Sequence, residues 1–310
     1  MIGWLTSRML PVVPKAVVRR VASRYVAGED LDAAVAMVRG LNARGYEATL
    51  DILGENARDS GEAERTRTGY LEVLDRIQQE GLKSNVSIKL THLGVRLDAA
   101  AAKERLETIV QRAKEYRNFV RMDMEDSSLT QVTLDLYEDL HQRYRGAVGA
   151  VLQAYLHRTA QDAQRLAGLG ANVRLCKGIY REPRAIAYHD REQVRESFLQ
   201  AAATILNAPD TYLAFATHDR VLIDRCLELV RRVPADRYEF QALLGVPVED
   251  LLDRLVARGV RVRVYVPYGS DWYPYATRRL RENPKIASYV LRQLFSPRRT
   301  EAVSDAGANR

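Results

Sequence analysis

YEFQALLGVPVEDLLDRLVARGVRVRVYV, residues 238–266, reads as a strand, a helix and a second strand in one short span. Tyr238–Leu243 and Val260–Val266 are apolar, aromatic and β-branched runs of strand length. Between them VEDLLDRLVARG sets Leu251, Leu252, Leu255 and Val256 at the spacing of one helix face and stops at Gly259. The same alternation runs back toward the N-terminus. Further candidate strands are Ala48–Gly54, Asn85–Leu90, Phe119–Met124, Ala147–Ala154, Val173–Lys177 and Tyr212–Thr217, eight with the two above. Helical patterns separate them, among them Ala101–Tyr116, Leu129–Arg143, Arg191–Leu206, Arg220–Arg232 and Val248–Arg258. Strand and helix repeated eight times predict an α/β fold, a (β/α)8 TIM-like barrel. A doubly wound sheet would place a Gly-rich phosphate turn after an early strand. No GxGxxG or GxxxxGK[ST] occurs, and Gly168-Leu169-Gly170 precedes a strand instead of following one.

The barrel is expected over residues 46–295. Residues 1–45 read as an N-terminal helical arm, with Val12, Val13, Ala16, Val17, Val21 and Tyr25 on a rough apolar face and Lys15, Arg19 and Arg20 opposite. Packing on the barrel is the plainer use of such a face; contact with an anionic membrane surface is the sharper one. Residues 296–310 have few apolar side chains and are expected to be disordered.

Composition narrows the function. The chain of 310 residues has 47 Lys+Arg against 40 Asp+Glu, a formal charge of +7, with 46% apolar and 28% charged types. That balance suits a globular protein rather than a disordered one. No run approaches roughly 18 apolar residues without charge, and the start lacks the pattern of a secretory signal, so a cytoplasmic location is expected. Cys176 and Cys226 stand far apart and the five histidines are scattered, which excludes a disulfide framework and argues against a metal cluster. The basic excess is spread along the chain, so nucleic acid is not an expected partner.

Barrel enzymes carry their chemistry at the C-terminal strand ends. Here those ends offer Glu55, Lys89, Asp123, Gln153, Arg174 with Lys177, Gly178 and Tyr180, then Thr217, His218 and Asp219, Glu239 with Gln241, and Tyr265. A charge inside an apolar strand pattern, as Lys89 in VSIKL or Asp123 in VRMDM, is costly unless it is paired or faces a polar cavity. A shared pocket at the barrel mouth removes that cost. The pocket reads as cationic, suited to an anion or to an electron-accepting ring, and holds too few carboxylates for a metal. After the eighth strand, Tyr273, Tyr275, Arg278 and Arg279 combine flat walls with paired guanidinium forks, which suit a small cyclic carboxylate.

At these residues the sequence resembles the FAD-dependent proline dehydrogenases, in their short monofunctional bacterial form. The matching pieces are LDILGE, VSIKLTHLG, RMDMED, LQAYL, RLCKGIY, FATHD, YEFQALLG and RVYVPYG followed by WYPYATRRLRENP, in order over about residues 48–295. The resemblance implies a distorted barrel with FAD across its C-terminal mouth. It implies oxidation of L-proline to Δ1-pyrroline-5-carboxylate, with a hydride passing from proline C5 to FAD N5 and electrons going on to quinone. It places Lys89, Arg278 and Arg279 on the substrate carboxylate. It puts Leu175, Tyr265 and Tyr275 around the substrate ring, and Asp123 and Arg174 beside the reacting centre as catalytic groups. Met124, Gln153, Lys177, Gly178, Ile179, Thr217 and His218 become FAD contacts, with Glu239 and Gln241 further along the nucleotide portion. Glu55 and Arg278 become a gating ion pair.

Three positions qualify the resemblance. The family's ATHN ends here in Asp219, a negative charge close to the expected cofactor, and KGIY replaces the commoner KGAY at Ile179. Tyr265 favours proline over its hydroxylated analogue. Partners implied are L-proline, an electron acceptor such as quinone, a peripheral membrane surface and a pyrroline-5-carboxylate dehydrogenase that receives the product. Two rivals stand beside this reading. One is a Schiff-base aldolase using Lys89 or Lys177, since such chemistry needs a lysine at a strand end. The other is a binding protein on a barrel that has lost its chemistry, for example through loss of FAD at Asp219.

Overall fold

Short runs rich in Val, Leu and Ala form strands buried along most of their length, as parallel strands covered on both faces require. β1 (Glu47–Ile52), β2 (Ser84–Ile88), β3 (Val120–Met122), β4 (Val148–Gln153), β5 (Asn172–Cys176), β6 (Tyr212–Ala216), β7 (Tyr238–Leu243) and β8 (Val262–Tyr268) pair in chain order and close into a barrel. The closing seam is parallel, from Glu47 opposite Arg263 to Ile52 opposite Tyr268. The computed structural model describes residue 19, residues 22–246 and residues 248–282, without the side chains of residues 278–282. Most of the apolar face read in residues 12–25, the tail 296–310, the guanidinium groups of Arg278 and Arg279, and with them the Glu55–Arg278 pair, lie outside the described residues.

Helices α1 (Leu31–Ala43), α2 (Ser60–Gln79), α3 (Ala99–Glu115), α4 (Thr130–Arg143), α5 (Thr159–Gly168), α6 (Arg191–Asn207), α7 (Arg220–Leu229) and α8 (Glu249–Ala257) alternate with the strands, and α9 (Trp272–Glu282) follows the last. Four of them start on an aspartate whose carboxylate accepts backbone N–H groups of the first turn: Asp30, Asp59, Asp98 and Asp190. Each such cap contributes about 1 kcal/mol. α1, inside the stretch read as an arm, buries Ala34, Val38 and Leu41 in the same apolar core as the barrel strands. Just before it, the Ala27 N–H donates to the Pro267 carbonyl of β8 at 2.9 Å.

Most strand ends shift by one or two residues from the sequence reading, and two of the shifts have a visible cause or consequence. β3 is shorter than Phe119–Met124, because the carbonyls of Met124 and Glu125 accept the Gln153 side-chain amide instead of continuing the ladder. β8 begins two residues later than expected and runs on through Pro267 and Tyr268, paired to β1 from Arg263 onward. Contact density divides the chain into residues 24–272, which hold the whole barrel, and a second unit of residues 1–23 with 273–310. In the second unit Tyr275 and Ala276 of α9 are buried, and the Thr277 hydroxyl donates to the Tyr273 carbonyl at 3.0 Å.

The barrel interior departs from the branched apolar filling usual for this architecture. Asn85, Arg121, Glu239 and Arg263 occupy its N-terminal half. Asp51, Lys89, Asp123, Arg174 and Tyr265 occupy its C-terminal half.

Candidate active site

β1 and β2 supply the first pair. Lys89, one residue past the end of β2, donates from Nζ to both carboxylate oxygens of Asp51 at 2.8 and 2.9 Å. Their side chains are 12% and 1% exposed. An exposed pair would contribute roughly 0–1 kcal/mol, whereas at this depth the attraction is on the order of 4 kcal/mol before desolvation is counted. Burial disfavours the ammonium, but the charges of Asp51 and then Asp123 outweigh it and leave the Lys89 pKa raised. Burial pushes the Asp51 carboxyl upward, against the pull of Lys89.

Asp123, just past β3, is the second hub. Its Oδ1 accepts from Arg174 Nη1 at 2.6 Å and from the Ser87 hydroxyl at 2.8 Å, and its Oδ2 accepts from the Tyr265 hydroxyl at 2.7 Å. Arg174 lies over the Tyr265 ring at 5.2 Å and donates through Nε to Gln241 Oε1 at 2.6 Å. Burial, followed by the Asp123 charge, holds the Tyr265 phenol well above its ordinary pKa, so it stays a neutral donor. Five strands thus place an ammonium, two carboxylates, a guanidinium and a phenol in one polar cluster.

Around the same mouth, Gln153 at the end of β4 donates to the carbonyls of Met124 and Glu125 at 3.2 and 2.7 Å. Its Oε1 is buried with no hydrogen-bond partner, and so is Nη2 of Arg174. Gly178 sits at φ 106°, and a Cβ there would meet the Tyr155 ring at 2.2 Å, so only glycine lets this turn close. Ile179, beside it, is exposed. The His218 ring accepts the Leu243 N–H on Nε2 at 2.9 Å, which leaves Nδ1 as the protonated nitrogen of a neutral ring. Thr217 is buried and its hydroxyl accepts the Asp219 N–H at 3.2 Å.

Asp219 resolves the difficulty its sequence raised. It is buried and accepts from Arg195 at 2.8 and 3.0 Å, from Lys177 at 3.3 Å and from Arg191 at 3.5 Å. Burial raises its pKa, but Arg195 and Lys177 overcome that and hold it below the ordinary carboxylate range. The extra negative charge is therefore neutralised by side chains of this chain.

Not every expected residue reaches the mouth. Leu175 is fully buried in the apolar core, and strand alternation turns it away from the interior face used by Arg174. Glu239, expected along the nucleotide portion of a cofactor, sits at the second position of β7 in the N-terminal half. It is 1% exposed and accepts from Arg263, Tyr212 and Gln241. Both of its oxygens are engaged there. Gln241 lies between Glu239 and Arg174 and spends its amide on those two. Glu55 is half-buried just beyond β1.

Sequence reasoning missed Asp51, although the signal that picked out Lys89 and Asp123, a charge inside an apolar strand, is equally present in TLDIL. It also missed Ser87, and it missed Glu125, which is buried and accepts the Thr91 N–H at 3.0 Å. Arg195 carries no local signal, since it lies on the polar side of an ordinary helix.

A family model described as proline dehydrogenase matches residues 34–292. The chain belongs to the proline dehydrogenase family. Proline dehydrogenase 1 of Bacillus subtilis (strain 168) is 38% identical over 276 residues, covering 88% of this chain and 90% of the relative. Proline dehydrogenase of Deinococcus radiodurans is 36% identical over 280 residues, with the same two coverages of 88% and 90%. Among solved structures, proline utilization A from Bdellovibrio bacteriovorus, inactivated by N-propargylglycine, superposes with a TM-score of 0.79 at 25% identity. That match covers 90% of this chain and 34% of the larger one. Among the described residues no helix is long and apolar enough to cross a membrane, and there is no cluster of three or more His, Cys, Asp or Glu that could hold a metal.

Proposed function

We propose that the barrel mouth oxidises L-proline to Δ1-pyrroline-5-carboxylate with FAD as the bound electron acceptor. The reading is carried by the joined cluster Asp51–Lys89 and Asp123–Arg174–Tyr265. Proline loses a hydride equivalent from C5 and a proton from nitrogen, and the C5–N bond becomes double. The Lys89 ammonium, kept charged by Asp51, holds the substrate carboxylate. The Tyr265 ring forms one wall of the proline pocket. Asp123, engaged by three donors, keeps Tyr265 and Arg174 in place while substrate is bound.

The side chains fit a flavin. Gln153 Oε1 is a buried acceptor without a donor and Arg174 Nη2 is a buried donor without an acceptor, on neighbouring strands. A flat ring whose edge alternates N–H and C=O groups satisfies both. Met124, Gln153, Arg174, Lys177, Gly178, Ile179, Thr217 and His218 would hold it. The cofactor supplies the two-electron acceptance that no side chain offers.

The aldolase reading is not favoured. A Schiff base needs a neutral amine, and Lys89 is held as an ammonium by Asp51 while Lys177 pairs with Asp219. Electrons leave to quinone in this proposal. The protein works in the cytoplasm, meets the membrane through the basic N-terminal arm, and passes its product to a pyrroline-5-carboxylate dehydrogenase. The larger size of the proline utilization A chain supports such a hand-off. The test is an anaerobic absorbance spectrum: a yellow protein that bleaches on adding L-proline is expected. Protein that stays colourless after FAD is supplied, or that gains mass on borohydride treatment with a carbonyl substrate, overturns the proposal.

A further inference from the structure

The opposite end of the barrel carries a charge that proline oxidation does not use. Arg121 of β3 is 2% exposed and has no ion-pair partner among the described residues. Its guanidinium is spent on neutral oxygens. Nη1 donates to the carbonyls of Ala150 at 2.8 Å and Asn172 at 2.9 Å, and Nη2 donates to Asn172 Oδ1 at 2.5 Å. Nε is buried without an acceptor. The guanidinium occupies space left by Gly149, where a Cβ would lie 2.5 Å from Nη1. The fold therefore makes room for this cation without pairing it directly to a carboxylate; only the charge of Glu239, already held by Arg263, acts on it from a distance, an arrangement that is costly in a buried setting.

The nearby acids serve other cations. Glu239 accepts from Arg263 Nε at 2.9 and 3.2 Å, and Glu47 pairs with Arg263 and with Arg261 at 3.2 Å. Below Arg121 a cavity of about 270 Å³ opens at the N-terminal end of the barrel. Arg121, Arg261, Arg263 and Asn172 contribute to its wall; its two acids are Glu239, already paired, and Asp236, exposed at the rim. Asn172 turns its carbonyl oxygen to Arg121, which leaves its amide NH2 as a donor on the same wall. Burial, then repulsion from Arg174, pushes the Arg121 pKa down to about 9, against the weaker pull of the Glu239 charge.

We propose that this floor cavity binds a small oxyanion, a carboxylate or a phosphate, between Arg121, Asn172 and Arg261. Planar guanidinium donors match the paired oxygens of either group, and the volume admits the anion with several waters. The site is separate from the mouth: Arg121 lies in the middle of β3 and Asp123 just past its C-terminal end, at different depths. It does not depend on the redox reading, and either can fail alone.

The test uses the full-length protein as purified, with whatever cofactor it carries. Thermal unfolding is followed while sodium phosphate or sodium acetate replaces sodium chloride at constant ionic strength and pH. Binding predicts a midpoint that rises and saturates. Saturation with phosphate alone identifies a phosphate site and with acetate alone a carboxylate site. Asn172→Asp places a carboxylate beside Arg121 and is expected to weaken the anion at least roughly tenfold without loss of the fold. Arg261→Gln, at the exposed rim, is expected to weaken it severalfold and carries the test if Asn172→Asp does not fold. A response no greater than that to chloride overturns the proposal. So does an apparent affinity unchanged in these variants, which would put the anion elsewhere, including at the mouth.

Discussion

The two ends of the barrel interior are built from the same parts and put them to different uses. At the mouth, Asp123 and Lys89 are 15% and 12% exposed, and their cluster borders on an unspent donor, Arg174 Nη2, and an unspent acceptor, Gln153 Oε1. At the floor, Glu239 is 2% exposed at its side chain and its oxygens are taken by Arg263, Tyr212 and Gln241. An arginine–carboxylate pair inside a barrel therefore does not by itself mark chemistry. Spare hydrogen-bonding capacity at a buried group points to a ligand instead, since such a group is costly until a partner completes it; Gln153 Oε1 and Arg174 Nη2 have it at the mouth, and Arg121 Nε has it at the floor. Gln241 ties the ends together, accepting from Arg174 and donating to Glu239.

The comparison breaks if the ends exchange roles on mutation. Glu239→Leu leaves Arg263 buried without its main partner and is expected to cost about 3–5 kcal/mol of stability, read by denaturant unfolding. Turnover per folded molecule should fall far less. Arg174→Met should do the reverse, lowering kcat on the order of 10²–10³-fold with the smaller loss in unfolding midpoint. Were Glu239→Leu to abolish turnover in folded protein, the floor would belong to the active site.

Asp51→Asn sharpens the account of the mouth. Asp51 helps keep the Lys89 pKa raised, so its removal should lower that pKa. The alkaline limb of the kcat/KM profile for proline then moves to lower pH; an unmoved limb would detach Lys89 from the carboxylate. The smallest effect is expected at Asp219. Its folded pKa lies below the ordinary 3.8, so its contribution to stability is present above that pH and is lost as pH falls through the folded value. Acid unfolding of Asp219→Asn should therefore differ from the parent at neutral pH and converge with it in strong acid. Parallel curves across that range would mean that Arg195 and Lys177 do not hold the charge.

Much of the site was legible because its signals are local. Lys89 in VSIKL and Asp123 in VRMDM announce a polar interior by interrupting apolar strands, and the structure joins them through Asp51, Ser87 and Arg174. The same rule, applied evenly, reaches Asp51. It cannot place depth along a strand, which is why Glu239 read as a mouth residue and proved to be a floor residue. Nor does a family motif report which face of β5 a side chain takes; Leu175, expected at the substrate ring, is fully buried in the apolar core. The neutralisation of Asp219 was out of reach, because Arg195 is 24 residues away on a helix whose other charges face solvent.

By itself the sequence determined the repeating order of strand and helix, the aspartates that start the helices, and the presence of charges that an apolar core would not accept. These follow from periods of about two and 3.6 residues and from single-residue preferences, which act within a few positions. Tertiary structure alone decided which charges meet. Lys89 and Asp51 are 38 residues apart and Tyr265 and Asp123 are 142 apart. Their encounter depends on the register in which eight strands close, a property of the whole ring that no single strand encodes.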